Sequence, residues 1–153
     1  MKVLIVYDTT SANRNTEKVA KTIESVLREM GFGVDCLYVT DANPENVKNY
    51  NCIIVGSPTE GFRAKKPITG FLDSLPQDGF AGKLAAAFDT QIQSRFSGNA
   101  AKKIQSKLEQ LGFRPVVEPL VVYVEGRQAE IHLKDGETDK TTNWAQELAR
   151  VIQ

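Results

Sequence analysis

Five apolar runs of strand length alternate along the chain with stripes of helical period. Lys2 to Tyr7 (KVLIVY) is apolar without alternation, as expected of a parallel strand covered on both faces. Val19, Ile23, Val26, Leu27 and Met30 then fall on one helical stripe from about Asn15, and Gly31 supplies the stop. Phe32 to Val39 (FGVDCLYV) reads as a second strand, with Asp35 suiting an edge position. Asp41 to Asn51 is polar and loop-like, with one helical turn after Pro44. Cys52 to Val55 (CIIV) is a short third strand, and Pro67 opens a helix carrying Ile68, Phe71, Leu72 and Leu75. Leu84 to Phe88 (LAAAF) is a fourth strand, small-residue rich and therefore central. A helix with Ala101, Ile104, Leu108 and Leu111 inward follows and ends at Gly112. Val116 to Val124 is a fifth strand in which Pro119 implies a bulge, an interruption or an edge. The last helix places Trp144, Leu148, Val151 and Ile152 on one face.

Strands alternating with helices predict a parallel sheet wound on both sides, since right-handed crossovers lay a helix on either face. In such sheets ligands bind at the carboxyl ends of the strands, where the strand order reverses. The expected working segments are therefore the loops after the first, third and fourth strands. All three are rich in Ser, Thr, Asn or Gly.

The first loop, YDTTSANRNTEKVA, carries hydroxyls at Thr9, Thr10, Ser11 and Thr16 and amides at Asn13 and Asn15, with a helix N-terminus directly behind. Free N–H groups and the positive end of a helix dipole suit a phosphate dianion. A plain capping role for Asn15 or Thr16 is the competing reading. Neither GxxxxGK[ST] nor GxGxxG follows the strand, which removes two common nucleotide motifs. The second loop, GSPTEGF, offers Gly61 where a peptide can flip and Phe62 where a flat ring can stack, with Pro58 as a stiffener. The third, Asp89 to Asn99, adds Phe96 as a second candidate aromatic, or else a residue packed under a long loop.

Composition narrows the picture. A chain of 153 residues with 41% hydrophobic and 25% charged residues is ordinary for one globular domain spanning 1–153. Lys plus Arg equals Asp plus Glu at 19 each, so no overall field draws nucleic acid or an anionic membrane. The apolar start is too short for a signal peptide or a membrane span, which makes the cytoplasm the default expectation. Cys36 and Cys52 lack metal or redox spacing and are expected to be reduced core thiols. His132 is the only histidine, so a His-based metal site is not expected. It falls in GRQAEIHLKDGE, whose alternation at Ala129, Ile131 and Leu133 suits a short strand continuing the fifth. A receiver domain would need acidic and lysine positions at the ends of the third and fifth strands. Here these are Gly56-Ser57 and Glu125-Gly126.

These stretches resemble the flavodoxin family over almost the whole chain. YDTTSANRNTEKVA is similar to its FMN-phosphate loop, VGSPTEGF to its first flavin-flanking loop, and AAAFDTQ with RFSGNAAKKIQSKLEQLGF to the second loop and its helix. LKDGETDKTTNWAQELARVI resembles the closing helix, with its Trp at Trp144. The resemblance implies a five-stranded sheet of order 2-1-3-4-5 in a three-layer α/β fold. It implies FMN held without a covalent bond, with the phosphate on Thr9, Ser11, Asn15 and Thr16; Thr10, Asn13 and Arg14 complete the cofactor-binding candidates of this loop, Arg14 either neutralising the phosphate or projecting into solvent. The ring would lie between Ser57, Pro58, Thr59, Glu60, Gly61 and Phe62 on one side and Asp89, Thr90, Gln91 and Phe96 on the other. The peptide beside Gly61 would turn toward the flavin N5, permitting one-electron transfer, while Asp89 and Glu60 would disfavour a reduced anion and make the protein a reductant. The implied role is a one-electron carrier between redox proteins, without nucleic acid or membrane, as a monomer or weak dimer.

Three departures stand out. Arg14 replaces the family's usual Gly before Asn-Thr, in a loop two residues longer than the usual form. The third loop is also longer and sets Phe96 three residues late. Arg63, Lys65, Lys66 and Arg95 flank a site that is acidic in electron-carrying members. Two other functions fit the same fold: a module that has lost FMN and serves binding or regulation, and a small FMN-dependent reductase of, for example, a quinone. The reductase would have only Asp89, Glu60 or Tyr7 as proton donors.

Overall fold

The computed structural model describes residues 1–60, 63–94 and 98–153, with residue 63 described through its backbone only. Strand β1 (Lys2–Tyr7) leads to helix α1 (Asn15–Glu29), β2 (Gly33–Tyr38) and two 3-10 turns, the second over Pro44–Asn49. Strand β3 (Cys52–Glu60) pairs with a short β4 (Arg63–Ala64) before α2 (Lys66–Asp73). Then come β5 (Leu84–Ile92), α3 (Ala100–Gln110), β6 (Arg114–Pro115) and β7 (Leu120–Glu125). A final excursion holds β8 (His132–Leu133) before α4 (Glu137–Ile152).

The long strands run parallel in the order β2-β1-β3-β5-β7, the expected 2-1-3-4-5 arrangement. Strand periodicity sends alternate residues to opposite layers. Val3, Ile5 and Tyr7 meet Val19, Ile23 and Leu27 of α1 and Trp144 and Leu148 of α4. Leu4 and Val6 join Ile68, Phe71 and Leu72 of α2 and Ile104 and Leu108 of α3 on the other face. Doubly covered strands explain why β1 reads as a continuous apolar run. Gly56 marks the tightest approach in the sheet: a Cβ there would lie 2.0 Å from the Phe88 ring.

Several expectations change. The third and fourth strands do not end at Val55 and Phe88 but continue to Glu60 and Ile92, with Ser57 opposite Asp89 and Pro58 opposite Thr90. What reads as loop is therefore largely sheet. The expected fifth strand, Val116 to Val124, starts only at Leu120 as β7, after Pro119, which has no N–H to give to a ladder, and the short β6 lies ahead of the expected span. The excursion after it turns back antiparallel instead of continuing β7, pairing Val124 with Leu133 and Glu125 with His132. Neither Asn15 nor Thr16 caps α1. The cap position is Arg14, in the left-handed region at φ 52°, with no side-chain cap bond. Val151 is half-exposed, off the buried face of α4. Trp144 is buried, its indole N–H donating to the Glu118 carbonyl at 2.8 Å.

Candidate functional site

At the carboxyl ends of β1, β3 and β5 lies a cleft of about 200 Å³. Thr10, Ser11, Asn15 and Thr16 form its first wall, Pro58, Thr59 and Glu60 the second, and Thr90, Gln91 and Ile92 the third. The second and third walls are the ends of β3 and β5 themselves, so the sheet sets their spacing, while the first is the loop after β1 and the first turn of α1. Asp8 N–H donates to the Gly56 carbonyl at 3.2 Å, and Thr16 Oγ1 and Thr90 Oγ1 share a hydrogen bond of 2.8 Å across the cleft.

The first wall is built around hydroxyls. Ser11 Oγ accepts from Asn15 N–H and from Asn15 Nδ2, both at 3.2 Å, which leaves its own proton free to donate. Thr9 Oγ1 and Asn15 Oδ1 are buried without a partner among the described residues. Thr9 belongs to the loop in front of α1 and Asn15 is its first residue, and the first N–H groups of a helix have no partner inside it. Such a donor set matches a phosphate and a polyhydroxylated chain. Arg14 does not join it. Its guanidinium binds Glu17, which also accepts from Tyr7 Oη at 2.6 Å, and those two donors hold the Glu17 carboxyl at about 2. Arg14 thus occupies a backbone position that favours glycine, at about 1 kcal/mol relative to Gly, and is not among the residues that line the cleft.

Asp89 lies behind the second and third walls, fully buried. Its carboxylate accepts from Thr59 Oγ1 at 3.0 Å, Ala101 N–H at 3.1 Å and Gln91 Nε2 at 3.1 Å, while Thr59 Oγ1 accepts from Ala100 N–H at 3.2 Å. One carboxylate thus ties β3 and β5 to the first turn of α3. Burial pushes its pKa up, against the opposing pull of these hydrogen bonds. Ser57 Oγ accepts from Lys65 N–H and donates to the Pro58 carbonyl, which shapes the second wall from beneath. Glu60 is paired with Lys65 at 2.9 Å, and Thr10 Oγ1 donates to it at 3.5 Å. Of the three candidate proton donors, Tyr7 is engaged by Glu17, Asp89 is sealed, and Glu60 is ion-paired. Gly61, Phe62, Arg95 and Phe96 lie outside the described residues.

Over residues 5–150 the chain matches the flavodoxin family model. The chain belongs to the flavodoxin family. It is accordingly an FMN-binding electron-transfer protein. Among relatives, it is 30% identical over 121 residues to a flavodoxin of Synechocystis sp., covering 75% of this chain and 68% of that one. It is 31% identical over 126 residues to a putative diflavin flavoprotein of Nostoc sp., covering 80% of this chain and 21% of that protein. The solved structure of oxidised flavodoxin 1 from Bacillus cereus superposes with a TM-score of 0.84 at 24% identity over 98% of each chain, a likeness of fold.

Sequence reasoning missed two lining residues of this flavodoxin-family chain, Val124 and Ile131. Val124 ends the fifth strand, and the rule that ligands gather at carboxyl ends extends to that strand too. Ile131 lies in the alternating GRQAEIHL stretch, whose apolar side reads as a surface hairpin until its neighbours in space are known. Among the described residues there is no cluster able to hold a metal ion and no helix long and apolar enough to cross a membrane.

Proposed function

We propose that residues 1–153 act as one unit that holds FMN in this cleft and passes single electrons to a redox protein partner. The observation that carries the assignment of residues is the convergence of three strand ends on one cleft, with an unpartnered buried hydroxyl at Thr9 and an unpartnered buried acceptor at Asn15 Oδ1 beside the N-terminus of α1. Thr9, Thr10, Ser11 and Thr16 bind the phosphate end without a charged side chain, so N–H and O–H groups alone balance its charge. Asn15 Oδ1, a buried acceptor, suits a ribityl hydroxyl. Pro58, Thr59, Glu60, Thr90 and Gln91 orient the ring, and Asp89 fixes the separation of the two segments that flank it.

When bound, FMN supplies a centre that takes up and releases electrons one at a time. The chain's contribution is to exclude water from one side of that centre and to keep mobile cations away from it, since Arg14 and Lys65 are already paired. The free thiols Cys36 and Cys52 support a reducing, cytoplasmic setting. Purified protein should be yellow, or become so with FMN, with a rise in melting temperature that follows ligand concentration. Thr16→Ala should weaken FMN more than riboflavin. A protein that stays colourless with excess FMN and melts unchanged refutes the proposal.

A further inference from the structure

The excursion between β7 and α4 forms a fourth wall of the cleft through Ile131. Gly126 starts it at φ 105°, where a Cβ would lie 2.6 Å from the Glu130 carbonyl oxygen, so only glycine makes this turn. A 3-10 turn over Gln128–Glu130 follows, with Glu130 N–H donating to the Arg127 carbonyl at 3.0 Å and Ile131 N–H to the Gln128 carbonyl at 3.3 Å. This compact strap then touches two other walls. Asn13 Nδ2 donates to the carbonyls of Ala129 at 3.2 Å and Ile131 at 2.7 Å, and Asn15 Nδ2 donates to the Ile131 carbonyl at 3.0 Å. On the far side, Lys134 Nζ donates to Gln93 Oε1 at 2.8 Å, just beyond the third wall. Between these anchors Ile131 lines the cleft.

Each asparagine has spent both amide protons on the protein, Asn15 using its second on Ser11 Oγ. What remains on either side chain is an acceptor, which cannot donate to a phosphate. We propose that Asn13 is a positioning residue: together with the Nδ2 group of Asn15 it clamps residues 126–131 across the cleft so that the strap closes it over the bound flavin and slows its release. This rests on the FMN reading above.

The test is stopped-flow release of FMN and of riboflavin from the holoprotein, with hydrogen exchange at the Glu130 and Ile131 amides followed in the same samples. Asn13→Ala should raise both release rates by a similar factor, roughly tenfold, the scale of losing two neutral hydrogen bonds. Exchange at both amides should rise as well. Gly126→Ala distorts the strap without touching the first loop, and Lys134→Ala cuts its other anchor while leaving the turn intact. Each should reproduce the pattern, and Asn13→Ala combined with either should add little to the larger single effect. Faster release of FMN with riboflavin unchanged would make Asn13 a phosphate ligand and overturn the clamp. So would unchanged release, or full additivity, in a wild-type protein that binds FMN. A wild-type protein that binds no flavin removes the FMN reading itself.

Discussion

Replacing Asp89 with alanine and with asparagine separates its hydrogen bonding from its charge. In the alanine variant three donors lose their acceptor: Thr59 Oγ1, Gln91 Nε2 and Ala101 N–H. The threonine hydroxyl can rotate and the glutamine can turn toward the cleft, but a backbone N–H in the first turn of α3 cannot. One stranded buried donor costs about 1–3 kcal/mol, and the space left by the carboxyl adds to it. Asparagine keeps an oxygen for Ala101 and Thr59, and Gln91 need only exchange its amide ends, so its effect should stay within about 1 kcal/mol. Asp89→Ala should therefore be less stable than Asp89→Asn by about 2 kcal/mol, or about 4–8 °C in melting temperature for a domain of this size.

The charge adds a pH signature of known sign. Burial raises the Asp89 pKa in the folded state above its ordinary 3.8, so the folded protein holds this proton more tightly than the unfolded chain. That contribution to stability is complete below the ordinary carboxyl range and is lost as pH rises through the folded-state value. Asparagine has no such loss. Urea unfolding of both proteins from pH 4 to pH 7 should thus show the variant gaining on the wild type as pH rises. Equal stabilities for the alanine and asparagine variants, or a flat or reversed pH trend, would refute the reasoning.

Gly56→Ala forces a methyl into the buried Phe88 ring and should destabilise by about 3 kcal/mol. A Gly56→Ala/Phe88→Ala double variant should be markedly less destabilised than the sum in urea unfolding. Glu17, held at about 2, contributes stability above its ordinary 4.5 that is lost as pH falls toward 2. Glu17→Gln should flatten that part of the acid-unfolding profile, and superimposable profiles would dismiss the Tyr7–Glu17–Arg14 cluster as a contributor. Burial pushes both thiols up to about 12, so Cys36 and Cys52 should resist thiol reagents at pH 8 in the folded protein and both react once it is unfolded.

The amino-acid sequence by itself determined the layers and the order of the elements. A strand apolar at every position, as in Lys2 to Tyr7, has to be covered on both faces, and the helical stripes ending at Gly31 and Gly112 supply the cover. Those local signals, with right-handed crossovers, also place the working end of the sheet, and three of the cleft walls were legible as polar segments. The tertiary structure decided the rest, because its causes lie far apart in the chain. Ser57 to Glu60 and Asp89 to Ile92 have loop-like composition, yet they extend the ladder because partners wait in space: Ser57 and Pro58 pair with Asp89 and Thr90, Thr59 and Glu60 with β4, and Gln91 and Ile92 with β7. Arg14 and Glu17 stand at the i, i+3 spacing of an ion pair, but that Glu17 also accepts from Tyr7 and that Arg14 does not line the cleft were decided only in space. The fourth wall depended on Asn13 finding carbonyls more than a hundred residues later. A hydrogen bond from a short polar side chain leaves no periodic trace in a sequence, whereas burial of a whole face does.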